Sequence, residues 1–330
     1  MRPGPLNLIT DVAGLSVGHA TDERVHSGIT TLLGTRALVA AVDVRGGAPG
    51  VRETDTLAPE ALVGHADAIV LAGGSVFGLA AADAVATALS ARGVGLRLSD
   101  RGRPIPIVPA AVLHDLGGAG DKDWKESPYH RLGAESLRAA TLNFALGAVG
   151  AGRGARAGFL AGGIGSASLD LGDGLVVGAL VAVNSIGSAL MSDGCTYWAW
   201  PFEIEAEYGG HRPGPGVAAI DPAPADSRLA QLADLRAGAS TVIGIVATSA
   251  PLSRTECRRI AVMAHDGIAR AVRPAHTPFD GDVVFAVATG AGTLAEDRKR
   301  AGHVARLGSA AADCMARAIA RGVYEANRLR

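Results

Sequence analysis

The amino-acid sequence predicts an α/β (or α+β) protein with a large buried core. Its 330 residues are 48% hydrophobic, which is enough to bury one large domain. Strand-like and helix-like patterns are mixed along the whole length, as they are in layered α/β proteins. The 45 glycines are too many for a mostly helical protein, and they stand largely at the ends of apolar runs.

Several apolar runs predict buried strands, because each is short, rich in Val, Ile and Ala, and bounded by turn residues. They are residues 37–44, 68–71, 175–183, 242–247 and 283–288. Helical patterns lie between and after them, at residues 77–91, 134–146, 253–272 and 309–326. The third helix has the clearest start, since Ser253 and Glu256 have the spacing of a capping box, and Pro274 follows its end.

Residues 208–232 are rich in proline, glycine and aspartate, which predicts an exposed linker. This segment stands shortly before the strand at 242–247. The small hydroxyl residues Ser240 and Thr241 lie directly at the opening of that strand. No repeat of fixed period is present, so we expect a single domain over residues 1–330.

Charge and hydropathy exclude several classes of partner. The formal net charge is −1 without a run of like charges, so nucleic acids and anionic membranes are poor candidates. No run reaches the roughly 18 apolar residues of a membrane span. Residues 1–8 lack the apolar segment of a secretory signal. We therefore expect a soluble, cytoplasmic protein.

Cofactor and metal motifs fail on spacing. Residues 150–154 and 162–165 are glycine-rich but lack the G-x-G-x-x-G pattern, and no P-loop lysine follows, so we expect no cofactor. Ser75 follows Gly74 as in a nucleophile elbow, but Phe77 stands where that motif needs glycine. Ser75 is expected instead to cap the next helix. We expect no metal, although a hard-metal site at His276, Asp280 and Asp282 stays open as an alternative.

Three places could carry chemistry. Ser240 and Thr241 are hydroxyl residues at the start of a strand, and Asn184 ends another apolar strand. Asp280 and Asp282 flank one glycine before a third strand. Each alone is an ordinary strand start or turn, but together they supply a nucleophile, an oxyanion donor and orienting carboxylates. No histidine is needed as base if the α-amine of Thr241 is freed, since an α-amine in a peptide has a pKa of about 7.7–8.0.

Five segments carry a pattern that is specific as a set. They are residues 9–19, VDVRGGAPG at 42–50, IVLAGGSVFG at 69–78, residues 107–112 and HTPFDGD at 276–282. In this order, and over nearly the whole chain, they resemble the DmpA-type peptidases. That family includes L-aminopeptidase/D-esterase enzymes, β-peptidyl aminopeptidases and nylon-oligomer hydrolases.

The resemblance implies a four-layer αββα sandwich, a general fold shared with ornithine acetyltransferases. It also implies self-cleavage between Ser240 and Thr241 into an α chain, 1–240, and a β chain, 241–330. By motif, Thr241 resembles the nucleophile, with Ser240 as its rival, and Asn184 resembles the oxyanion-hole asparagine. Asp280 and Asp282 resemble the pair that positions and activates the threonine. A homo-oligomer, with a tetramer favoured, is the implied assembly.

Three positions depart from the family pattern. Ser240 stands where relatives have Asn or Gly before the cut, and Phe159 stands where the nylon-hydrolase branch has a lysine. Residues 107–112 lack the acid with which β-aminopeptidases hold the substrate's ammonium group. Phe159 and Ser75 are candidates for the substrate pocket.

The resulting prediction is a hydrolase of small peptides, amides or esters. An acyltransferase of the ornithine acetyltransferase type and a catalytically inactive binding relative stay open as alternatives.

Overall fold

Strands and helices alternate along the part of the chain that the computed structural model describes, residues 1–217, 221–229 and 240–328. The strands there are β1 (Leu15–Asp22), β2 (Ser27–Val44), β3 (Val51–Arg52), β4 (His65–Ala72), β5 (Ala110–Val112), β6 (Arg156–Ala157), β7 (Leu160–Ala161), β8 (Gly163–Asp170), β9 (Val176–Asn184), β10 (Thr241–Thr248) and β11 (Val283–Ala288). The α-helices there are α1 (Ala80–Ala91), α2 (Tyr129–Arg138), α3 (Arg254–Ala271) and α4 (Arg300–Asn327).

One mixed sheet contains all of these strands except the small β6–β7 hairpin. Its order is β3-β5-β4-β2-β11-β10-β9-β8, and β1 pairs with β2 off this path. The long strand β2 has an irregularity between Leu33 and Leu38. Before it, β2 pairs with β1 and β4. After it, β2 pairs with β4 only at Leu38 and Val39, and with β11 from Val39 to Val44. Because an irregularity bends a strand, β2 can belong to two halves of the sheet. One half contains β1, β3, β4 and β5, and the other contains β8, β9, β10 and β11.

Three buried clusters separate the layers. One cluster, which contains Met315, joins α3 and α4 to strands β8–β11. A second, which contains Phe285, is built from strand and loop residues without any residue of α1–α4. The third, which contains Tyr129, joins α1 and α2 to β4 and β5. Helix, sheet, sheet and helix therefore follow one another, which is the predicted αββα order.

Strand β10 is buried on both faces. Val242 and Val246 belong to the cluster under α3 and α4, whereas Ile243 and Ile245 belong to the cluster between the two halves of the sheet. Successive side chains of a strand point to opposite faces, so a strand covered on both sides needs apolar residues throughout. This explains why β10 reads as a continuous apolar run, without alternation.

The helix predictions are confirmed in part. The capping box of α3 is present, with Ser253 N donating to Glu256 Oε2 at 2.8 Å. The prediction at 134–146 is wrong after Arg138, because the following chain pairs with β1 instead: Thr141 N donates to Val17 O at 3.0 Å. Helix α4 begins at Arg300, well before the predicted residue 309. Within the described ranges, no helix is long and apolar enough to cross a membrane.

The predicted linker at 208–232 is only partly described, since residues 218–220 and 230–232 lie outside the described residues. Its described part consists of turns and irregular chain. Tyr208 and Ser227 are buried there, so the segment is not exposed throughout as predicted.

Candidate active site

Thr241 is the first residue of β10 and lies where three strands meet. It is paired in register with Asn184, the last residue of β9. Its neighbour Ser240 forms a parallel bridge with Asp280, in the loop before β11. Asp282 ends that loop, so the fold brings the five predicted cleavage and catalytic residues to one end of neighbouring strands. All five are buried.

The peptide group between Ser240 and Thr241 accepts two hydrogen bonds at its carbonyl oxygen. The carbonyl oxygen of Ser240 accepts a hydrogen bond from Gly281 N at 2.9 Å. The hydroxyl of Thr241 donates to the same carbonyl oxygen. The candidate nucleophile thus lies beside the carbonyl group that precedes it, and a backbone N–H polarises that carbonyl.

Gly281 allows this close approach because it has no side chain. A Cβ atom at this position would lie 2.9 Å from Thr241 Oγ1 and 2.7 Å from the carbonyl oxygen of Ala48. Both separations are shorter than real Cβ contacts, so only glycine fits. Sequence reasoning treated Gly281 as a spacer between two aspartates; its place inside the Asp-Gly-Asp motif is the signal that could have revealed it.

Asp282 fixes the backbone on the carboxyl side of the candidate nucleophile. Its Oδ1 accepts from Val242 N at 2.7 Å, and its Oδ2 accepts from His276 Nδ1 at 2.7 Å. Burial alone would lower the pKa of His276. The hydrogen bond to Asp282 and the negative charge of Asp282 outweigh this effect, so the net shift of the pKa is upward. The contact with Asp282 therefore favours the cationic form of His276, a role that the sequence analysis did not assign to it.

Asp280 has a different environment from Asp282. Its Oδ2 accepts from Thr277 N at 2.8 Å and from Thr277 Oγ1 at 2.7 Å. Burial raises the pKa of Asp280, the charge of Asp282 raises it further, and together they outweigh these hydrogen bonds, giving a value of about 6. The charge of Asp282 thus makes ionisation of Asp280 less favourable.

The metal alternative finds no support in this geometry. His276 and Asp282 bond to each other, and Asp280 bonds to Thr277. In the described part of the chain, no group of three or more His, Cys, Asp or Glu side chains is arranged to hold a metal ion.

Asn184 joins two loops through its side-chain amide. Its Oδ1 accepts from Arg156 N at 2.9 Å, and its Nδ2 donates to His114 O at 3.1 Å. Arg228 Nη2 reaches the same strand end, with bonds to the carbonyl oxygens of Asn184 at 3.0 Å and Ser185 at 2.8 Å. Burial lowers the pKa of Arg228 to about 10, so it stays charged at neutral pH. This cation was not found from the sequence.

A cavity of about 200 Å³ opens beside these two loops, and Phe159 lines it. The Phe159 side chain is 42% exposed. Ser75 is not among the lining residues, although its N–H donates to Leu113 O at 2.9 Å, next to His114. Its predicted capping role is wrong: Gly74 takes the cap position, and Ser75 itself has a positive φ of 52° without a side-chain cap bond.

Comparisons with known proteins agree with this fold. The family model of peptidase family S58 matches residues 7–330. An uncharacterized aminopeptidase of Mycobacterium tuberculosis (strain ATCC 25618 / H37Rv) is 43% identical over 340 residues, covering 97% of this chain and 94% of the relative. A 6-aminohexanoate-oligomer endohydrolase of Kocuria sp. (strain KY2) is 30% identical over 289 residues, covering 84% and 74%.

The fold has a solved counterpart in the L-aminopeptidase D-Ala-esterase/amidase from Ochrobactrum anthropi, described as a variant of the Ntn hydrolase fold. The TM-score is 0.70 at 20% identity, with 97% of this chain and 86% of that chain covered. The predicted fold class is thus confirmed, as is the prediction of a peptide or amide hydrolase. The chain belongs to peptidase family S58, the family of the DmpA-type peptidases that its motifs resemble.

Proposed function

We propose that the chain cuts itself between Ser240 and Thr241 and then hydrolyses small peptides or amides with Thr241 as N-terminal nucleophile. The observation that carries this proposal is the contact of the Thr241 hydroxyl with the Ser240 carbonyl oxygen, which also accepts from Gly281 N. The names of the mycobacterial and Kocuria relatives, an aminopeptidase and an oligomer endohydrolase, support the substrate class.

Maturation proceeds as an acyl shift. Thr241 Oγ1 bonds to the Ser240 carbonyl carbon, the bond from that carbon to Thr241 N breaks, and the hydroxyl proton ends on the new amine. The Gly281 N–H stabilises the negative charge that develops on the carbonyl oxygen. Water then opens the ester, leaving a carboxylate on Ser240 and a free amine and hydroxyl on Thr241.

Turnover uses the freed amine as the base. The amine accepts the hydroxyl proton while Oγ1 attacks the substrate carbonyl carbon, and it then protonates the leaving amine. The side-chain amide of Asn184 is the proposed donor to the oxyanion, and water releases the acyl group. Asp280 and Asp282 hold the cationic form of the amine, and His276 holds Asp282.

The proposal is tested by denaturing gel electrophoresis with N-terminal sequencing of the purified protein. We expect a band for residues 1–240 and a smaller band that begins at Thr241. Thr241→Ala should give one band only, whereas Ser240→Ala should still be cut. An intact chain after prolonged incubation would contradict self-cleavage, and a small chain that begins at Ser240 would move the nucleophile by one residue.

The cytoplasm as location and a homo-tetramer as assembly belong to the same proposal. The family resemblance supports the assembly. Light scattering of the purified protein tests the tetramer.

A further inference from the structure

We propose that the cavity beside Asn184 binds a carboxylate group of the substrate, and that Arg156 selects for it. The inference rests on the proposed function, because it concerns the substrate of that same site. It names the substrate class as short amides or peptides that carry a free carboxylate close to the bond that is cut.

The cavity lies beside Asn184, the proposed oxyanion donor, because Arg156 lines it and donates its backbone N–H to Asn184 Oδ1. It is lined by His26 and residues 118–119, and by residues 153–156 and 159–161. Asn184 joins the same two loops, through bonds to His114 O and to Arg156 N. A substrate whose carbonyl oxygen accepts from the Asn184 amide would therefore lie beside this cavity, separated from it by the backbone of Arg156. With a volume of about 200 Å³, the cavity has room for roughly one amino-acid residue beyond that bond.

The charges that line the cavity favour an anion. Arg153, Arg156 and His26 line it, and among the described residues no Asp or Glu does. Arg153 is already neutralised by Glu23, with Nη2 to Oε2 at 2.6 Å. Burial lowers the pKa of His26, and Arg153 lowers it further, so His26 is neutral at physiological pH. Of these three basic side chains, Arg156 is therefore the one whose positive charge is available to bind an anionic ligand.

The guanidinium of Arg156 has spare hydrogen-bonding capacity. Its one side-chain hydrogen bond to the described residues is from Nη2 to the Phe159 carbonyl oxygen, at 3.3 Å. It forms no ion pair with any carboxylate in the described ranges. A guanidinium has five N–H donors in a planar fork, which matches a carboxylate by two parallel bonds. Arg156 is thus placed to bind one.

A substrate ammonium group would be disfavoured in the same cavity. Arg156 and the buried Arg228 are close enough that Arg156 contributes, after burial, to lowering the pKa of Arg228. A third positive charge there would add repulsion, whereas a carboxylate would reduce it.

Phe159 and Leu160 contribute apolar surface to the same cavity. A ligand with one carboxylate and a short aliphatic body fits this combination of a single cation and apolar walls. The carboxylate could belong to the leaving amine, as in a dipeptide, or to the acyl group, as in a half-amide of a dicarboxylic acid. Paired substrates distinguish these two sources.

The experiment measures kcat/KM for two pairs of substrates. The first pair is L-alanyl-L-alanine and its C-terminal amide; the second is succinic acid mono-p-nitroanilide and the corresponding succinamide p-nitroanilide. We expect the wild type to prefer the acid in at least one pair by about tenfold, the size of one charge-assisted contact. The pair that shows the preference identifies the side of the scissile bond on which the carboxylate lies.

Arg156→Gln should bring the acid-to-amide ratio close to one, mainly by raising KM for the acid. The readout is the acid-to-amide ratio of kcat/KM within each variant, because a change that affects both substrates alike cancels in this ratio. Arg92→Gln, which removes an exposed arginine at the end of α1, is the matched control and should keep the wild-type ratio.

Equal turnover of acid and amide by the wild type in both pairs, or an unchanged preference in Arg156→Gln, would overturn the carboxylate site. Self-cleavage read on a gel, together with turnover of the amide substrates, shows separately whether the proposed hydrolase is at work. If the chain neither cuts itself nor turns over any of the four substrates, both this inference and the proposed function fail.

Discussion

Gly281 and Asp282 reach the candidate nucleophile through the backbone. Gly281 N donates to the carbonyl oxygen of Ser240, and Asp282 accepts from the N–H of Val242. Thr241 is therefore clamped on both sides by neighbouring positions of one loop. At the scale of the residue, the Asp-Gly-Asp motif therefore acts as a unit. Gly281 allows the loop to approach Thr241 and polarises the Ser240 carbonyl, and Asp282 fixes the start of β10.

Gly281→Ala tests the glycine. The added methyl group would press against Thr241 Oγ1 and Ala48 O, displacing the hydroxyl from the carbonyl group and lengthening the Gly281 hydrogen bond. We expect self-cleavage to slow by about 10²-fold or more, as when one oxyanion donor is lost. The rate is measured by gel densitometry, with circular dichroism to check folding.

Gly302→Ala is the control for this experiment, because a Cβ atom there would meet no atom within 4 Å. It should be cut at the wild-type rate. Cleavage of Gly281→Ala at that same rate would show that the loop does not hold the scissile bond.

The charge of Asp280 predicts the pH dependence of self-cleavage. With a pKa of about 6, Asp280 is ionised above pH 6 and protonated below it. Self-cleavage creates an amine on Thr241 that is stabilised as a cation by the carboxylate pair, so protonation of Asp280 should slow the reaction. We expect the rate to fall as the pH drops through about 6, measured on unfolded precursor refolded into buffers on both sides of that value.

His276→Asn and Asp280→Asn assign this pH limb to the carboxylate pair. In His276→Asn, the side-chain amide can replace Nδ1 as the hydrogen-bond donor to Asp282, but the imidazole that can carry a positive charge is lost. Asp280 should then hold its proton more tightly, and the fall in rate should move to higher pH. Burial lowers the pKa of the neighbouring His265 to about 4, so it does not titrate in this range. A limb that persists in Asp280→Asn would mean that another group controls it.

At the scale of the elements, local sequence predicted most where one signal dominates. The capping box at Ser253 located the start of α3, and the apolar run beginning at Val242 located β10. The pattern at 134–146 failed because pairing of Thr141 with Val17 competes with helix propensity, and this contact depends on the tertiary fold. The early part of α4 was missed for a related reason: Gly308 weakens the helical signal, yet it lets α4 approach Met263 of α3 closely.

The candidate site also has residues that the sequence identified and residues that only the tertiary fold reveals. The motif resemblance pointed to Asn184, Thr241 and the two aspartates, which the fold brings together. The cation beside Asp282 could not be assigned from spacing, because His276 acquires its raised pKa only from the hydrogen bond that the folded loop creates. Arg228 was missed for lack of any local pattern, since it reaches the end of β9 from 44 residues away in sequence.

At the scale of the whole molecule, the proposed cut lies inside the central sheet. Residues 241–330 contribute β10, β11, α3 and α4, whereas β8 and β9 belong to residues 1–240. Strand β10 pairs with β9 from Thr241 to Thr248, and β11 pairs with β2 from Val283 to Ala288. The cluster under α3 and α4 also includes apolar residues of both pieces. Cleavage removes one covalent bond and none of this burial.

The two pieces should therefore stay together after cleavage. We expect the cut protein to elute from a sizing column under native conditions at the same volume as uncut Thr241→Ala, while a denaturing gel separates its two chains. Its thermal midpoint should lie within a few degrees of that of the uncut variant, because strand pairing and apolar burial are the same in both. Separation of the pieces without denaturant would contradict this, since it would mean that continuity of the chain at Thr241, rather than the shared sheet and core, holds the molecule together.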